Sequence, residues 1–224
     1  SFLGEFSQMT DNSNSSRAIF VHNMFKYVQE NNLDGVDYDW EGPVLTDAER
    51  VNYGLLVKET HDMFKPYGYT VSIDTCWRRE LDPSAVKYLD WVNCMAYDGG
   101  WPNHSSFQRG IDLLETWEIG KKTPREKLLW GTGFYARNKN DGALAYKELV
   151  AKYDPAPQDD LAGQWGYPGI ESTKKRTQYV LDKGYGGMMI WNLEHDTHDD
   201  RSLLKAIDDT IKGDAAKKKL QKYD

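Results

Sequence analysis

The chain has few cysteines, fewer positive than negative charges, and no long apolar segment. Its 224 residues include two cysteines, Cys76 and Cys94. Two cysteines are too few for a disulfide framework, and neither has a neighbour at the spacing of a metal-binding motif. Because a free cysteine behaves as a small apolar side chain, we predict that both are buried thiols.

The charge balance and the hydropathy pattern argue against two classes of partner. The chain has 35 acidic and 28 basic residues, which gives a net charge of −7. A negative chain without a basic stripe is not expected to bind nucleic acid or an anionic membrane surface. No apolar run has the length of a membrane-spanning helix. We therefore expect neither nucleic acid nor a membrane as a partner.

Four carboxylates lie close together in a segment that otherwise has the pattern of a buried strand. Residues 33–41 place Asp34, Asp37, Asp39 and Glu41 at spacings of three, two and two. Because side chains alternate along a strand, Asp37, Asp39 and Glu41 should share one face. Crowded, partly buried carboxylates favour the protonation of at least one of them near neutral pH. The segment is therefore a candidate source of a general acid.

The alternative is a solvated edge strand that carries acidic residues without a chemical role. Against this, Val36, Tyr38 and Trp40 would occupy the opposite face. The run also ends at Gly42-Pro43, which places Glu41 where a strand passes into a loop. Active sites of α/β folds are built at such strand ends.

Segments of strand length alternate with segments of helical period along the chain, which predicts an α/β fold with a parallel sheet. The predicted strands are 35–41, 69–74, 91–97, 128–135 and 187–192, and the predicted helices are 16–30, 46–64, 107–117, 143–153, 172–183 and 200–211. Thr46 and Glu49 have the spacing of a capping box. We predict one domain over residues 1–213, without an α+β insertion, and a charged tail over 214–224.

The motifs and their order resemble glycoside hydrolase family 18, which contains chitinases and endo-β-N-acetylglucosaminidases. The family signature D-x-x-D-x-D-x-E is met by Asp34, Asp37, Asp39 and Glu41, and the signature M-x-Y-D by Met95, Tyr97 and Asp98. Residues 131–137 resemble the family strand G-x-P-x-Y-G-R, with Gly133 in place of proline and Ala136 in place of glycine. Residues 186–191 resemble the last barrel strand, which ends in a tryptophan.

The resemblance implies a (β/α)8 TIM barrel that is incomplete at the N-terminus. Residues 1–7 are similar to the element that closes the third strand of the family barrel, so about five to six parallel strands are expected where a complete barrel has eight. An open strand edge invites pairing. The resemblance therefore also suggests a homodimer that covers this edge.

The resemblance further implies hydrolysis of a β-1,4 bond beside N-acetylglucosamine by a retaining, substrate-assisted mechanism, an exception to the usual two-carboxylate scheme. Glu41 would be the acid and base, Asp39 would orient the sugar acetamide, Asp37 would share a proton or hydrogen bond with Asp39, and Tyr97 would bind the acetamide carbonyl. The mechanism needs no metal and no cofactor. The implied partners are chitin, chitooligosaccharides or other glycans that contain N-acetylglucosamine, and secretion is implied.

Six residues are candidates for substrate binding on the same grounds: Trp191, Met95, Asp98, Tyr135, Arg137 and Trp101. Trp191 would form the floor under the sugar at the cleavage site, although a core tryptophan is the alternative. Trp101 lies in a glycine-rich loop, where a large ring has little core to join and could bind the leaving sugar. Trp77 is a further candidate of this kind.

Three alternatives remain open from the sequence. The chain could cleave the chitobiose core of N-glycans, or it could be a catalytically weak, chitin-binding, lectin-like protein. Residues 195–200 contain two histidines and three aspartates, which are ligand types of a divalent metal. Asp199 or Asp200 could equally cap the last helix, with the histidines solvated beside them.

Overall fold

The computed structural model describes residues 2–41, 45–76 and 81–220. The chain divides into two compact units. Unit 1 consists of Ser1–Asn93 and Thr116–Leu128, and unit 2 consists of Cys94–Glu115 and Leu129–Asp224. Within the described ranges, no helix has the length and apolar character that crossing a membrane requires.

Unit 1 contains strands covered by long helices. Its elements are α1 (Phe2–Thr10), α2 (Ser16–Glu30), β1 (Gly35–Tyr38), α3 (Asp47–Phe64), β2 (Thr70–Thr75), the first three residues of β3 (Trp91–Met95), and a π-helical turn at Thr116–Gly120. β1 and β2 pair in parallel, with Asp37 opposite Ser72, and β2 lies between β1 and β3. Gly35 is required at the start of β1, because a Cβ atom there would lie 2.1 Å from the carbonyl oxygen of Thr70.

Helix α3 begins as the sequence predicts. The Thr46 hydroxyl accepts a hydrogen bond from the Glu49 backbone N–H at 3.2 Å, and the Glu49 carboxylate accepts one from the Thr46 backbone N–H at 2.8 Å. This capping box satisfies two backbone donors that the first turn would leave unpaired. The helix then buries one face, which includes Tyr53, Leu56 and Val57.

The N-terminal segment differs from the prediction, because residues predicted to close a strand form helix α1 instead. The Phe6 ring packs 4.9 Å from the Trp40 ring and 6.3 Å from the Phe20 ring. The Ser7 hydroxyl donates a hydrogen bond to Glu49 at 2.7 Å. The packing of the Phe6 ring against the Trp40 and Phe20 rings therefore stabilises a helix where the motif resemblance indicated the end of a strand.

Unit 2 contains the end of β3 and the remaining elements. They are α4 (Phe107–Glu115), β4 (Leu128–Gly133), β5 (Tyr135–Arg137), β6 (Ala143–Ala145), α5 (Tyr146–Tyr153), β7 (Leu161–Ala162), β8 (Trp165–Gly166), α6 (Ile170–Lys183), β9 (Gly187–Trp191) and α7 (Leu203–Leu220). β4 lies between β3 and β9 and pairs with β9 in parallel. The short strands β5 to β8 form an antiparallel sheet in the order β6-β5-β8-β7. The predicted α/β class, with strands β1, β2, β3, β4 and β9, is confirmed.

Two predicted elements of unit 2 have different boundaries. The predicted strand 128–135 is divided, because β5 leaves the parallel sheet and pairs with β6 and β8. The predicted helix 143–153 begins only at Tyr146, because residues 143–145 pair with β5. The pairing with β5 outweighs the helical propensity of the alanines.

Helix α4 packs closely against β4. The Trp130 ring is fully buried, and a Cβ atom at Gly110 would lie 1.9 Å from it. Gly110 therefore lets the helix backbone approach the indole ring. Of the two cysteines, Cys94 is buried as predicted, whereas Cys76 is only half-buried; both are free thiols.

The last helix is longer than the prediction of 200–211, because α7 continues to Leu220. The chain shows no break at residue 213, where the sequence predicts the end of the domain. Asp214 is buried, and its carboxylate accepts a hydrogen bond from the Gln178 side chain at 3.3 Å. Residues 214–220 thus continue helix α7, while the assignment of residues 1–213 to one catalytic domain stays a prediction.

Candidate active site

In unit 1, the carboxylate run lies at the end of β1. Asp37, Asp39 and Glu41 are exposed, whereas Tyr38 and Trp40 are buried. The predicted alternation of faces is therefore observed. The strand itself ends at Tyr38 instead of Glu41, because its pairing with β2 stops there. Asp39 and Glu41 consequently belong to the segment that follows the strand, and Gly42-Pro43 lie outside the described residues.

Buried aromatic residues hold the end of β1 in place. The Tyr53 hydroxyl donates a hydrogen bond to the Tyr38 carbonyl at 3.1 Å, and the Tyr38 hydroxyl lies 2.8 Å from the Thr60 hydroxyl. The Trp40 ring packs edge-on against Tyr53, with ring centroids 5.3 Å apart. The backbone between the acidic side chains is thus fixed from the opposite face.

The Asp37 carboxylate is held by two neighbouring strands. It accepts hydrogen bonds from the Ser72 hydroxyl on β2 and from the Asn93 amide on β3, the latter at 3.2 Å. Ser72 and Asn93 are both buried. The loss of water around the carboxylate raises the pKa of Asp37, while the hydrogen bonds from Ser72, Asp74 and Asn93 act in the opposite direction.

Asp74 is a further carboxylate of this cluster that the sequence analysis did not assign. It lies two residues beyond Ser72 on β2 and therefore on the same face. Burial and the neighbouring negative charge of Asp37 raise the pKa of Asp74 to about 7. The signal in the sequence is the alternation of Ser72 and Asp74 within a predicted strand next to the acidic run.

In unit 2, the end of β3 carries the second motif. Met95 and Tyr97 are buried, and Asp98 is half-exposed. The Asp98 Oδ1 atom accepts a hydrogen bond from the Tyr135 hydroxyl and another from Arg137 Nε, both at 2.7 Å. The Tyr97 ring packs edge-on against the Tyr135 ring at 6.1 Å. The structure therefore brings together four of the residues predicted to bind substrate or act in catalysis: Tyr97, Asp98, Tyr135 and Arg137.

Asp98 has an electrostatic environment unlike that of the acidic run. Partial burial opposes its negative charge, but the hydrogen bonds from Arg137 and Tyr135 outweigh this and lower the pKa of Asp98. Burial and the hydrogen bond to Asp98 raise the pKa of Tyr135 in turn. Asp98 is therefore a stable anion, and the Tyr135 hydroxyl is a stable donor.

His104 supports this group, and sequence reasoning did not identify it. The side chain is fully buried. Its Nδ1 atom lies 3.3 Å from the Asp98 backbone N–H, and its Nε2 atom lies 3.0 Å from the Tyr135 carbonyl oxygen. A carbonyl only accepts, so Nε2 carries the hydrogen and Nδ1 accepts. Burial lowers the pKa of His104 to about 4, which keeps the ring neutral. A histidine in a polar, glycine-rich segment gives no sequence signal for this role.

Two predicted sugar platforms expose their rings. Trp191, at the end of β9, is 51% exposed and Trp101 is 45% exposed. The Trp101 indole N–H donates a hydrogen bond to the Gln164 carbonyl at 2.9 Å, which fixes the ring without burying it. The exposure of Trp191 contradicts the alternative that it is a core tryptophan. Trp77 lies outside the described residues.

The acidic segment after β9 has a structural role. The Asp196 carboxylate is buried and accepts hydrogen bonds from the backbone N–H groups of Leu203 and Leu204, each at 2.9 Å. Asp199 pairs with Arg201 at 2.7 Å. The start of α7 is therefore capped by Asp196, and not by Asp199 or Asp200 as one alternative held. Within 2–41, 45–76 and 81–220, no group of three or more histidine, cysteine or acidic residues is arranged to bind a metal.

Comparisons with known proteins identify the family of the chain. Residues 1–196 match the family model described as glycosyl hydrolases family 18. Probable chitinase 2 of Drosophila melanogaster is 23% identical over 264 residues, covering 88% of this chain and 54% of that protein. Chitotriosidase-1 of Mus musculus is 24% identical over 257 residues, covering 81% of this chain and 53% of that protein. The chain thus spans about half the length of these two relatives.

Solved structures give the same result. The family 18 chitinase ChiB of Flavobacterium johnsoniae superposes with a TM-score of 0.82 at 26% identity, covering 93% of this chain and 69% of that one. A chitinase of Bacteroides thetaiotaomicron superposes with a TM-score of 0.84 at 20% identity, covering 91% and 71%. The predicted barrel-type α/β fold is therefore confirmed. The chain belongs to the glycosyl hydrolases of family 18.

Proposed function

We propose that the chain is a chitinase-like glycosidase that cleaves β-1,4-linked N-acetylglucosamine within the polymer. The observation that carries the proposal is the acidic run of this family 18 chain. Asp37, Asp39 and Glu41 are exposed on one face while Tyr38 and Trp40 anchor the backbone from the other. Catalytic groups that are fixed before the substrate binds contribute most to the reaction rate.

The proposed mechanism retains the anomeric configuration. Glu41 donates a proton to the glycosidic oxygen as the bond to the anomeric carbon breaks, and the acetamide carbonyl oxygen of the same sugar forms the new bond to that carbon. The product is an oxazolinium ion. Glu41, now a carboxylate, then takes a proton from the water molecule that attacks the anomeric carbon and opens the oxazolinium ring. No protein ester, metal or cofactor takes part.

Three further groups would act on the acetamide. Asp39 orients its N–H group and stabilises the positive charge that develops there, Asp37 shares a hydrogen bond with Asp39, and Tyr97 donates its hydroxyl proton in a hydrogen bond to the carbonyl oxygen. The two hydrogen bonds from Ser72 and Asn93 to Asp37 support these assignments. They hold the Asp37 carboxylate, one member of the proposed Asp37–Asp39 pair, in a single orientation.

Substrate binding would involve the second motif and the exposed tryptophans. Trp191 forms the floor of the cleavage subsite, Met95 lines it, and Trp101 binds the leaving sugar. Asp98 accepts a hydrogen bond from a sugar hydroxyl. Tyr135 and Arg137 hold the Asp98 carboxylate in position. The exposure of both indole rings supports stacking, since an apolar ring face in water gains most from a flat partner.

The experiment is a digest of chitopentaose and of a high-mannose N-glycan by the wild type and by Glu41→Gln. We expect the wild type to cleave chitopentaose, and the variant to lose at least about 10²-fold in kcat because it lacks the acid. Asp47→Asn, which changes an exposed carboxylate on α3, is the matched control. Cleavage of the N-glycan alone would reassign the substrate, and binding without turnover would indicate a lectin.

A homodimer and secretion are further parts of the proposal. Among the described residues, β1 pairs with β2 along one edge and with no strand along the other. An unpaired strand edge supports association through a second copy. Secretion follows from a polymeric substrate that cells do not take up intact. A monomeric sedimentation profile at high concentration would contradict the dimer, and recovery of the protein only inside cells of its source would contradict secretion.

A further inference from the structure

Asp74 lies beside the acidic run but on a different strand. The parallel register places Asp37 opposite Ser72 and Tyr38 opposite Ile73. Continuing this register places Asp74 beside Asp39, just past the last paired residue of β1. Because side chains two residues apart on a strand share a face, Asp74 and Ser72 both point to the face that carries Asp37.

The side chains of Asp74 and Asp37 lie within hydrogen-bonding reach of each other, and the Asn93 amide acts on both. Two carboxyl groups can form such a bond only when one of them carries a proton, because an ionised carboxylate has no donor. A hydrogen bond within this pair therefore requires a proton on one of its two members.

The surroundings indicate which of the two carries it. Asp37 accepts hydrogen bonds from Ser72 and Asn93, which stabilise it as an anion. The Oδ1 atom of Asp74 is buried and has no hydrogen-bond partner in the described part of the chain. A buried oxygen without a partner costs less on a neutral acid than on a carboxylate. The proton therefore resides on Asp74.

The charged and titratable groups around Asp74 favour the same state. Asp37 faces it from β1 and Asp39 from the segment after β1, and Tyr53 faces the three aspartates from α3. Burial and the negative charges of Asp37 and Asp39 raise the pKa of Asp74 to about 7, while the Asn93 amide acts in the opposite direction. Asp74 would then release its proton near neutral pH.

We propose that Asp74 is a positioning residue that donates a hydrogen bond to Asp37 and thereby holds in place the carboxylates that orient the sugar acetamide. The proposal rests on the proposed function and assigns no contact between Asp74 and the substrate. When Asp74 loses its proton, its hydrogen bond to Asp37 is lost and two neighbouring anions repel each other. The acetamide site then becomes disordered, and turnover falls at alkaline pH.

The first test is the pH profile of kcat/KM on chitopentaose for the wild type and for Asp74→Asn. The amide is a permanent donor of the same shape. We expect the variant to retain activity within about threefold at acidic pH, and its alkaline decline to begin at least about one pH unit higher. Asp62→Asn, an exposed change on α3, is the control and should follow the wild type. A variant profile that coincides with the wild-type profile would overturn the proposal.

The second test does not depend on activity. Carbon-13 labelled aspartate carboxyl groups are titrated by NMR in the wild type and in Asp74→Asn. We expect one carboxyl group that titrates near neutral pH, a second that shifts in the same step, and loss of that step in the variant. Absence of the step from the wild type would overturn the role of Asp74. Its presence in a wild type that cleaves no oligosaccharide would overturn only the proposed function.

Discussion

Asp74 in unit 1 and Asp98 in unit 2 show how one residue type acquires opposite properties in two regions. Burial and the negative charges of Asp37 and Asp39 raise the pKa of Asp74 to about 7. Asp98 is also partly buried, but a guanidinium and a hydroxyl donate to it and lower its pKa. The partners decide the charge, since desolvation opposes ionisation in both places.

The comparison separates two kinds of group that a glycosidase needs. The region around Asp37 and Asp74 contains carboxyl groups of raised pKa, which suits proton transfer and charge stabilisation. The region around Asp98 holds a fixed anion and fixed donors, which suits recognition of sugar hydroxyls. A buried neutral histidine, His104, supports only the second region.

The largest effect is expected from removing the His104 ring, which supports the region around Asp98. His104→Ala removes a fully buried ring and leaves the Asp98 backbone N–H and the Tyr135 carbonyl without partners. We expect a loss of about 3 kcal/mol in the free energy of unfolding, measured in urea. His22→Ala, an exposed change on α2, should stay within about 0.5 kcal/mol. A His104 variant as stable as this control would show that the ring does not organise the region.

The two regions should also have opposite pH dependence of stability. The pKa of Asp74 rises from 3.8 to about 7 on folding, so between these values the folded chain holds a proton that the unfolded chain has released. The pKa of His104 falls from 6.5 to about 4, so in that window the unfolded chain binds a proton that the folded chain does not. Stability therefore falls with rising pH because of Asp74 and rises because of His104.

Because the contributions of Asp74 and His104 oppose each other, we predict that the free energy of unfolding of the wild type changes little with pH. Each variant removes one contribution and reveals the other. In urea unfolding between about pH 4 and pH 6.5, Asp74→Asn should make the free energy of unfolding increase more steeply with pH. His104→Gln should make it increase less steeply or decrease. Each change is at most about 1.4 kcal/mol per pH unit. Variants that run parallel to the wild type would contradict the pKa directions of both groups.

A smaller effect is expected from neutralising the fixed anion. Asp98→Asn removes the charge that pairs with Arg137 and weakens the acceptor of the Tyr135 hydroxyl. We expect kcat/KM on chitopentaose to fall about tenfold, mainly through KM, because binding is affected more than proton transfer. Asp141→Asn is the matched control, since Arg137 contacts only the backbone carbonyl of that residue. Equal falls in kcat/KM for Asp98→Asn and Asp141→Asn would show that the charge of Asp98 has no specific role in binding.

The smallest effect concerns the exposed ring of Trp101. Trp101→Ala should change the free energy of unfolding by less than about 1 kcal/mol, because the ring is 45% exposed. The KM for chitopentaose should rise several-fold, and kcat should change little. Leu204→Ala, at another exposed apolar position, should leave KM unchanged. Loss of stability without a change in KM would show that the ring belongs to the core.

The sequence predicted the α/β class, the five parallel strands and the faces of the acidic run, because each depends on local alternation and on spacing. It did not predict helix α1, since the contacts of Phe6 with Trp40 and Phe20 join residues far apart in the chain. The division between β4 and β5 was missed for a similar reason. The antiparallel partners of β5 are β6, whose composition favours a helix, and β8, a two-residue strand where the sequence predicts no element.

The site shows the same limit. Its motif residues could be named from their resemblance to the family signatures, whereas Asp74 and His104 owe their properties to neighbours that only the fold supplies. An aspartate in a predicted strand and a histidine in a predicted loop are common in sequences, and neither indicates a functional site by itself. Their shifted pKa values arise from burial and from partners on other elements.

The central claim is that the acidic run ending at Glu41 performs substrate-assisted hydrolysis with retention. The direct measurement is proton NMR of the anomeric configuration of the product during the first minutes of chitopentaose cleavage by the wild type. We predict that the β-anomer appears first and that the Glu41→Gln variant yields no product in the same time. Initial release of the α-anomer, or equal rates for the variant and the wild type, would contradict the account.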